Sequence, residues 1–288
     1  MLDPVVTPFF DEASNTFSYV VQDPQSCSCA VIDSVLDFDY AGGRAYTASA
    51  DAICQFVKER DLEVVWVLEI HMHADHLSAA PLLKRRLGGE MGIGARITEV
   101  QEIFGKTFNA GTEFQRDGSQ FDALFEDEDA FNIGNLECRV LHTPGHTPAC
   151  VTYAIGDAVF VGDTLFMPDF GSARCDFPGG CARTLYRSVQ RVLSLPNDTR
   201  MFMCHDYKAP GRDTYECTTT VAEQKVRNVH VGNGATEDSF AAMRTSRDAT
   251  LAMPKLLMPS VQVNMRAGKM PPPEGNGQVY LKIPVQSF

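Results

Sequence analysis

The stretch Ile70-His71-Met72-His73-Ala74-Asp75-His76-Leu77 places three imidazoles and a carboxylate within six residues, directly after an apolar run. Neutral imidazole and carboxylate are ligand types suited to zinc, iron or manganese, and a solvated surface loop needs no such density. The preceding Leu62-Glu63-Val64-Val65-Trp66-Val67-Leu68 is β-branched and apolar enough to read as a buried strand. The cluster is therefore expected at the C-terminal edge of a strand, where α/β proteins favour their sites.

Working outward, residues 16–21 and 30–35 read as two strands around the turn Asp23-Pro24-Gln25-Ser26. Residues 48–60 carry Ile53, Phe56 and Val57 at helical spacing, which gives a β-β-α-β unit ending at the cluster. A helix over 77–87 closed by Gly88-Gly89, a strand around Ile93 and a helix over 97–108 are expected next. The acidic stretch within 125–131 reads as a solvated turn.

Three short strands follow, over 136–141, 150–155 and 158–161, and a helix is expected over 182–195, with Leu185, Val189, Val192 and Leu193 on one face. Three more strand ends carry ligand types: His142-Thr143-Pro144-Gly145-His146, Gly162-Asp163-Thr164, and Met201-Phe202-Met203-Cys204 followed by His205-Asp206-Tyr207. The glycines permit close backbone approach and the prolines restrict the turns. Residues 1–249 read as one domain; 250–288, with Pro254, Pro259 and Pro271-Pro272-Pro273, read as an extended tail packed on that domain or on a partner subunit.

Composition bounds the rest. With 37 acidic against 25 basic residues, the net charge of −12 and pI near 5.0 argue against nucleic acid and anionic membrane surfaces as partners. No apolar run approaches the ~18 residues that span a bilayer. Nine cysteines and the absence of a basic-then-apolar start favour free thiols in a reducing cytoplasm.

The ordered series H-x-H-x-D-H, T-P-G-H-T, G-D-T and strand-end H-D resembles the metallo-β-lactamase fold superfamily. That resemblance implies an α/β architecture: an αβ/βα sandwich of two mixed β-sheets flanked by helices, with the metal at one edge. Within it, Gly171-Ser172-Ala173-Arg174-Cys175-Asp176-Phe177 resembles the G-x-x-R-x-D-F segment of the persulfide dioxygenases, as does His205-Asp206-Tyr207. The tail Pro259-Ser260-Val261-Gln262-Val263-Asn264-Met265-Arg266-Ala267-Gly268 resembles their bacterial branch.

The resemblance implies one ferrous iron per chain held by His71, His146 and Asp163, the two-histidine, one-carboxylate set of non-haem iron oxygenases. Zinc could load in its place, because affinity alone does not favour iron. It further implies oxidation of glutathione persulfide by O₂ and water to sulfite and glutathione. His73, Asp75, His76 and His205 would then orient ligands and carry protons. Arg174, Asp176, Tyr207 and Lys225 are the expected substrate contacts, with Arg174 alternatively pairing with Asp176. Cys175 reads as an unreactive loop thiol, His142 as a weaker ligand candidate than His146, and His230 as a surface or capping residue. The Pro-rich tail is a candidate homodimer contact.

The alternative is a glyoxalase II-type dinuclear hydrolase of glutathione thioesters. There His73, Asp75, His76 and His205 become ligands, and Asp163 bridges two metals. A metal-retaining sensor without turnover is a third reading, set against by the retention of every ligand type.

Overall fold

The structure, a computed structural model, describes residues 2–285. The first half runs β1 (Val5–Asp11), β2 (Thr16–Gln22), β3 (Ser28–Ile32), the two-residue strands β4 (Val35–Leu36), β5 (Phe38–Asp39) and β6 (Arg44–Ala45), then α1 (Ala48–Glu59) and β7 (Glu63–Leu68). It continues through β8 (Leu77–Ser78), α2 (Ala80–Leu87), β9 (Glu90–Gly94), α3 (Ile97–Thr107) and β10 (Ala123–Phe125). The second half comprises β11 (Ala130–Ile133), β12 (Leu136–His142), β13 (Val151–Ile155), β14 (Ala158–Phe160), a 3-10 turn at Gly162–Thr164, α4 (Ala182–Leu193) and β15 (Arg200–Phe202). It closes with β16 (Thr218–Thr220), α5 (Val221–Arg227), α6 (Glu237–Asp248) and α7 (Leu257–Asn264).

Two six-stranded mixed sheets result, ordered β1-β2-β3-β7-β9-β10 and β11-β12-β13-β14-β15-β16. The first is antiparallel at β1-β2-β3 and parallel from β3 to β10, because α1, α2 and α3 supply the crossovers. Alternation along the strands sorts side chains into layers. Val20 and Val31 face a core shared with Ile53, Leu83 and Ile97 of the helices, whereas Tyr19, Val21 and Ile32 face Val140, Tyr153 and Phe160 of the opposite sheet. A third core joins Val159, Val161 and Met201 to Leu185, Val189 and Val192 of α4. The layers are helices, sheet, sheet, helices, the αβ/βα sandwich anticipated from the motifs. Each fully buried Leu, Ile or Val contributes roughly 1.5–3 kcal/mol.

The structure departs from the sequence reading in several places, three of them in helices. The helix expected from residue 77 starts at Ala80, because Leu77 and Ser78 pair with Leu36 and Val35 as β8 before Pro81 opens the helix. The tail is helical over Leu257–Asn264, where Pro259 lies in the first turn, whose N–H groups need no intrahelical partner. The final three residues of that tail lie outside the described residues. Helix α6, closed at its start by a capping box between Thr236 and Ser239, was not anticipated. None of the described helices is long and apolar enough to cross a membrane.

Candidate metal centre and its cavity

All the ligand-bearing segments end at one edge between the sheets. After β7 the chain is anchored where Ile70 N donates to Asp33 Oδ1 at 2.8 Å and Ile70 O accepts from Val151 N at 3.1 Å. Gly162 adopts φ +52° beside this anchor; a Cβ there would lie 2.3 Å from Ile70 Cγ2, so a side chain would push the turn that carries Asp163 off the histidine loop. Gly145 does the same service for His146, since a Cβ would meet Leu185 Cα at 2.3 Å.

His71, His146 and Asp163 are buried, and their ligand atoms lie within 4.8 Å of one another. Asp163 Oδ2 stands 3.5 Å from His146 Nε2 and 3.9 Å from His71 Nε2. His146 Nδ1 faces the Arg174 carbonyl at 2.8 Å, His76 Nδ1 faces the Leu77 carbonyl at 3.1 Å, and His205 Nδ1 faces the Asn15 carbonyl at 3.3 Å. A carbonyl only accepts, so the His146 and His76 contacts assign the ring proton to Nδ1 and leave the Nε2 lone pair directed inward. Burial and the neighbouring imidazoles hold His71 well below the ordinary imidazole range, and burial with His73 brings His76 down to about 4. Both rings are neutral donors at pH 7.

The fit to a cation is visible in what lacks a partner. Buried and without a hydrogen bond are both nitrogens of His71, His73 Nδ1, Asp75 Oδ2, His76 Nε2, Asp163 Oδ1 and His205 Nε2. Buried polar atoms are ordinarily satisfied, and a concentration of orphans on one set of imidazoles and carboxylates suits a metal.

His73 points its Nε2 between Asp33 Oδ1 at 3.0 Å and Glu69 Oε2 at 3.3 Å. Burial works against its charge, but Asp33 and Glu69 raise its pKa well above the ordinary value. His205 Nε2 lies 3.3 Å from Asp163 Oδ1 and 3.4 Å from Asp75 Oδ2. There too burial is overcome, chiefly by Asp75, and the pKa is raised. Asp163 thus stands between the His71/His146 pair and His205.

Above the cluster opens a cavity of about 880 Å³ lined by Asp75, His146 and Asp163 at its base and by Phe166, Phe177 and Tyr207 on its walls. Arg174 lines it, but the guanidinium holds Asp176 through two hydrogen bonds of 2.6 and 2.7 Å and donates to Ala252 O at 2.7 Å. Asp176 is therefore committed to the loop. Lys225, expected as a substrate contact, instead lies exposed on α5 and donates to Asn197 Oδ1 at 2.8 Å, outside the cavity lining. Besides Arg174, the cations that line the cavity are Arg244, Arg247 and Lys255. Arg244 is buried and paired with Asp248 at 2.6 Å, whereas Arg247 and Lys255 are exposed.

Other candidates resolve simply. His142 donates from Nε2 to Pro148 O at 2.8 Å. Cys175 is buried, with its thiol pKa pushed well up by burial and Asp248. All nine cysteines are free. His230 is half-buried and acts as a cap: its Nδ1 accepts from Ser172 N at 3.0 Å and fixes the cavity loop. Asp33, Glu69, Arg247, Lys255 and Asn264 were not singled out for a role; the one local signal among them is Glu69, a charge at the end of a buried strand.

A metal-binding edge on an αβ/βα sandwich defines a class, and the sequence pattern of the Metallo-beta-lactamase superfamily matches residues 12–205. The chain belongs to the metallo-β-lactamase superfamily of metal-dependent enzymes. Among its relatives, a probable metallo-hydrolase of Burkholderia pseudomallei is 57% identical over 98% of this chain and 99% of that protein. A Beta-lactamase hydrolase-like protein of Agrobacterium fabrum is 50% identical over 98% of this chain, which spans only 65% of that longer protein. The human mitochondrial persulfide dioxygenase ETHE1 is 30% identical over 91% of this chain and 88% of its own length. The solved structure of ETHE1 from Myxococcus xanthus superposes with a TM-score of 0.73 at 30% identity, covering 92% of this chain and 99% of that one.

Proposed function

We propose that this chain is a mononuclear iron persulfide dioxygenase that converts glutathione persulfide, O₂ and water to glutathione and sulfite in the cytoplasm. The observation that carries the reading is the 2.8 Å contact between His146 Nδ1 and the Arg174 carbonyl. Through it the G-x-x-R-x-D-F loop, the segment that resembles the dioxygenases, fixes the tautomer of a candidate ligand. Similarity to ETHE1 over most of both chains supports the same reading.

His71, His146 and Asp163 would hold the iron, and ferrous iron bound to such a set would supply the oxygen chemistry. The protein's own part is binding and orientation. Arg247 and Lys255 are placed to meet the carboxylates of glutathione, a bidentate fork and a point charge respectively. Phe166, Phe177 and Tyr207 give the cavity apolar walls that limit water around the terminal sulfur. The position of His205 Nε2 between Asp75 and Asp163 supports a role in holding a proton there, and the pairing of His73 with Asp33 and Glu69 supports a like role for His73.

A specific observation favours a second reading. Asp75 Oδ2, His76 Nε2, His205 Nε2 and Asp163 Oδ1 are all orphaned, as a second metal of a glutathione-thioester hydrolase would require. Relatives at 50% and 57% identity carry hydrolase names. Metal content and turnover separate the two: one iron with oxygen uptake on persulfide supports the dioxygenase, and two metals with thioester hydrolysis and no oxygen uptake support the hydrolase.

A further inference from the structure

Among the described residues, 71–76 form no backbone-to-backbone hydrogen bond, although they carry four of the seven candidate site residues around the metal. One side chain from the far end of the chain stands in for that missing ladder. Asn264, buried at the end of α7, donates from Nδ2 to the carbonyls of His73 at 2.9 Å and His76 at 2.8 Å, and its Oδ1 accepts from Ser78 N at 2.8 Å. A single carboxamide uses both donors and its acceptor on one six-residue segment, bracketing Asp75. Helix α7 is itself held in place: Gln101 of α3 donates to Met265 O at 3.0 Å, and residues 259–264 are buried on all sides.

We infer that Asn264 is a positioning residue for the metal loop, setting the directions of His73, Asp75 and His76, and that α7 is part of the metal site. The helix lies beyond residues 12–205, which match the superfamily pattern, so this contact is a contribution of the C-terminal segment. Asn264 touches no reacting atom. It acts by satisfying two buried carbonyls that would otherwise be free to rotate their imidazoles away. The inference rests on the reading of the loop as metal-binding and is independent of which reaction the metal serves.

The test is a chelator-competition titration of the purified full chain with Co(II), read by its visible ligand-field spectrum, for wild type, Asn264→Ala and Gln262→Ala. Gln262 lies on the same helix but bonds Lys282 O at 2.9 Å and Met258 O at 2.7 Å, so its loss loosens α7 without freeing the loop. Asn264→Ala is expected to weaken Co(II) binding at least tenfold and to change the spectrum, as loss of a group that orients ligands does. Gln262→Ala is expected to lower thermal stability while keeping the wild-type spectrum. A wild-type spectrum and affinity within twofold in Asn264→Ala would overturn the inference. If Asn264→Ala does not fold, Asn264→Asp, equal in size but without donors, takes its place with the same two outcomes. Failure of wild type to bind Co(II) would instead overturn the metal reading itself.

Discussion

His146 and Arg174 are joined by a 2.8 Å hydrogen bond from the imidazole Nδ1 to the backbone carbonyl, so a candidate ligand and the cavity loop cannot shift independently. Arg174 stiffens that loop by gripping Asp176 and Ala252 O. Arg174→Ala is therefore expected to lower kcat/KM by about 10–100-fold, the usual range for groups that orient ligands. Arg174→Lys should not restore it, since an ammonium cannot hold the carboxylate bidentately. Steady-state kinetics on both variants checks this.

Arg247 and Lys255 make a different prediction, because they line the cavity as exposed cations outside the set of candidate ligands. Removal of either cation is expected to raise KM for glutathione persulfide about tenfold with kcat little changed, the pattern of an interaction equal in ground and transition states. The effect should shrink at high salt, as both groups are exposed. A fall in kcat with unchanged KM would reassign them to the chemistry.

Asp33 is buried and accepts from both Ile70 N and His73 Nε2. Asp33→Ala leaves Ile70 N without a partner, strips His73 of the nearer of its two carboxylates and places alanine at φ +51°, so urea unfolding should show a loss of about 3–5 kcal/mol. Asp33→Asn keeps an acceptor and tolerates that backbone, and should lose less.

His230 predicts a pH dependence of stability. Burial, with Arg244 and Arg247, depresses its pKa to about 4, and the neutral Nδ1 accepts from Ser172 N. A depressed folded-state pKa means that its stabilisation is complete above the unfolded value of about 6.5 and is lost as pH falls towards 4. With discount for its partial exposure, the loss is about 1 kcal/mol. Denaturant midpoints across that window should fall more steeply for wild type than for His230→Asn, which keeps an acceptor but does not titrate.

The parts of the site that were legible in the sequence are local. H-x-H-x-D-H, T-P-G-H and G-D-T each compress ligand types into a few residues after an apolar strand, and the structure brings His71, His146 and Asp163 together. Asn264 was not legible, because its partners lie 186 to 191 positions away. Helix α7 escaped for a related reason: buried on every side, it shows no polar face and hence no helical period, and Pro259 reads as a breaker unless its place in the first turn is known. Arg247 and Lys255 look like any exposed cation until the cavity is built around them. Lys225, on a helix with Glu223 and Arg227, shows the converse: a motif-adjacent cation that the fold turns towards Asn197.

The most direct measurement is oxygen consumption by anaerobically purified, ferrous-loaded protein on glutathione persulfide, with sulfite assayed in parallel and His71→Ala as control. The account predicts oxygen uptake matched one to one by sulfite and abolished in His71→Ala. Iron-containing protein that consumes no oxygen, or that hydrolyses glutathione thioesters instead, would contradict it.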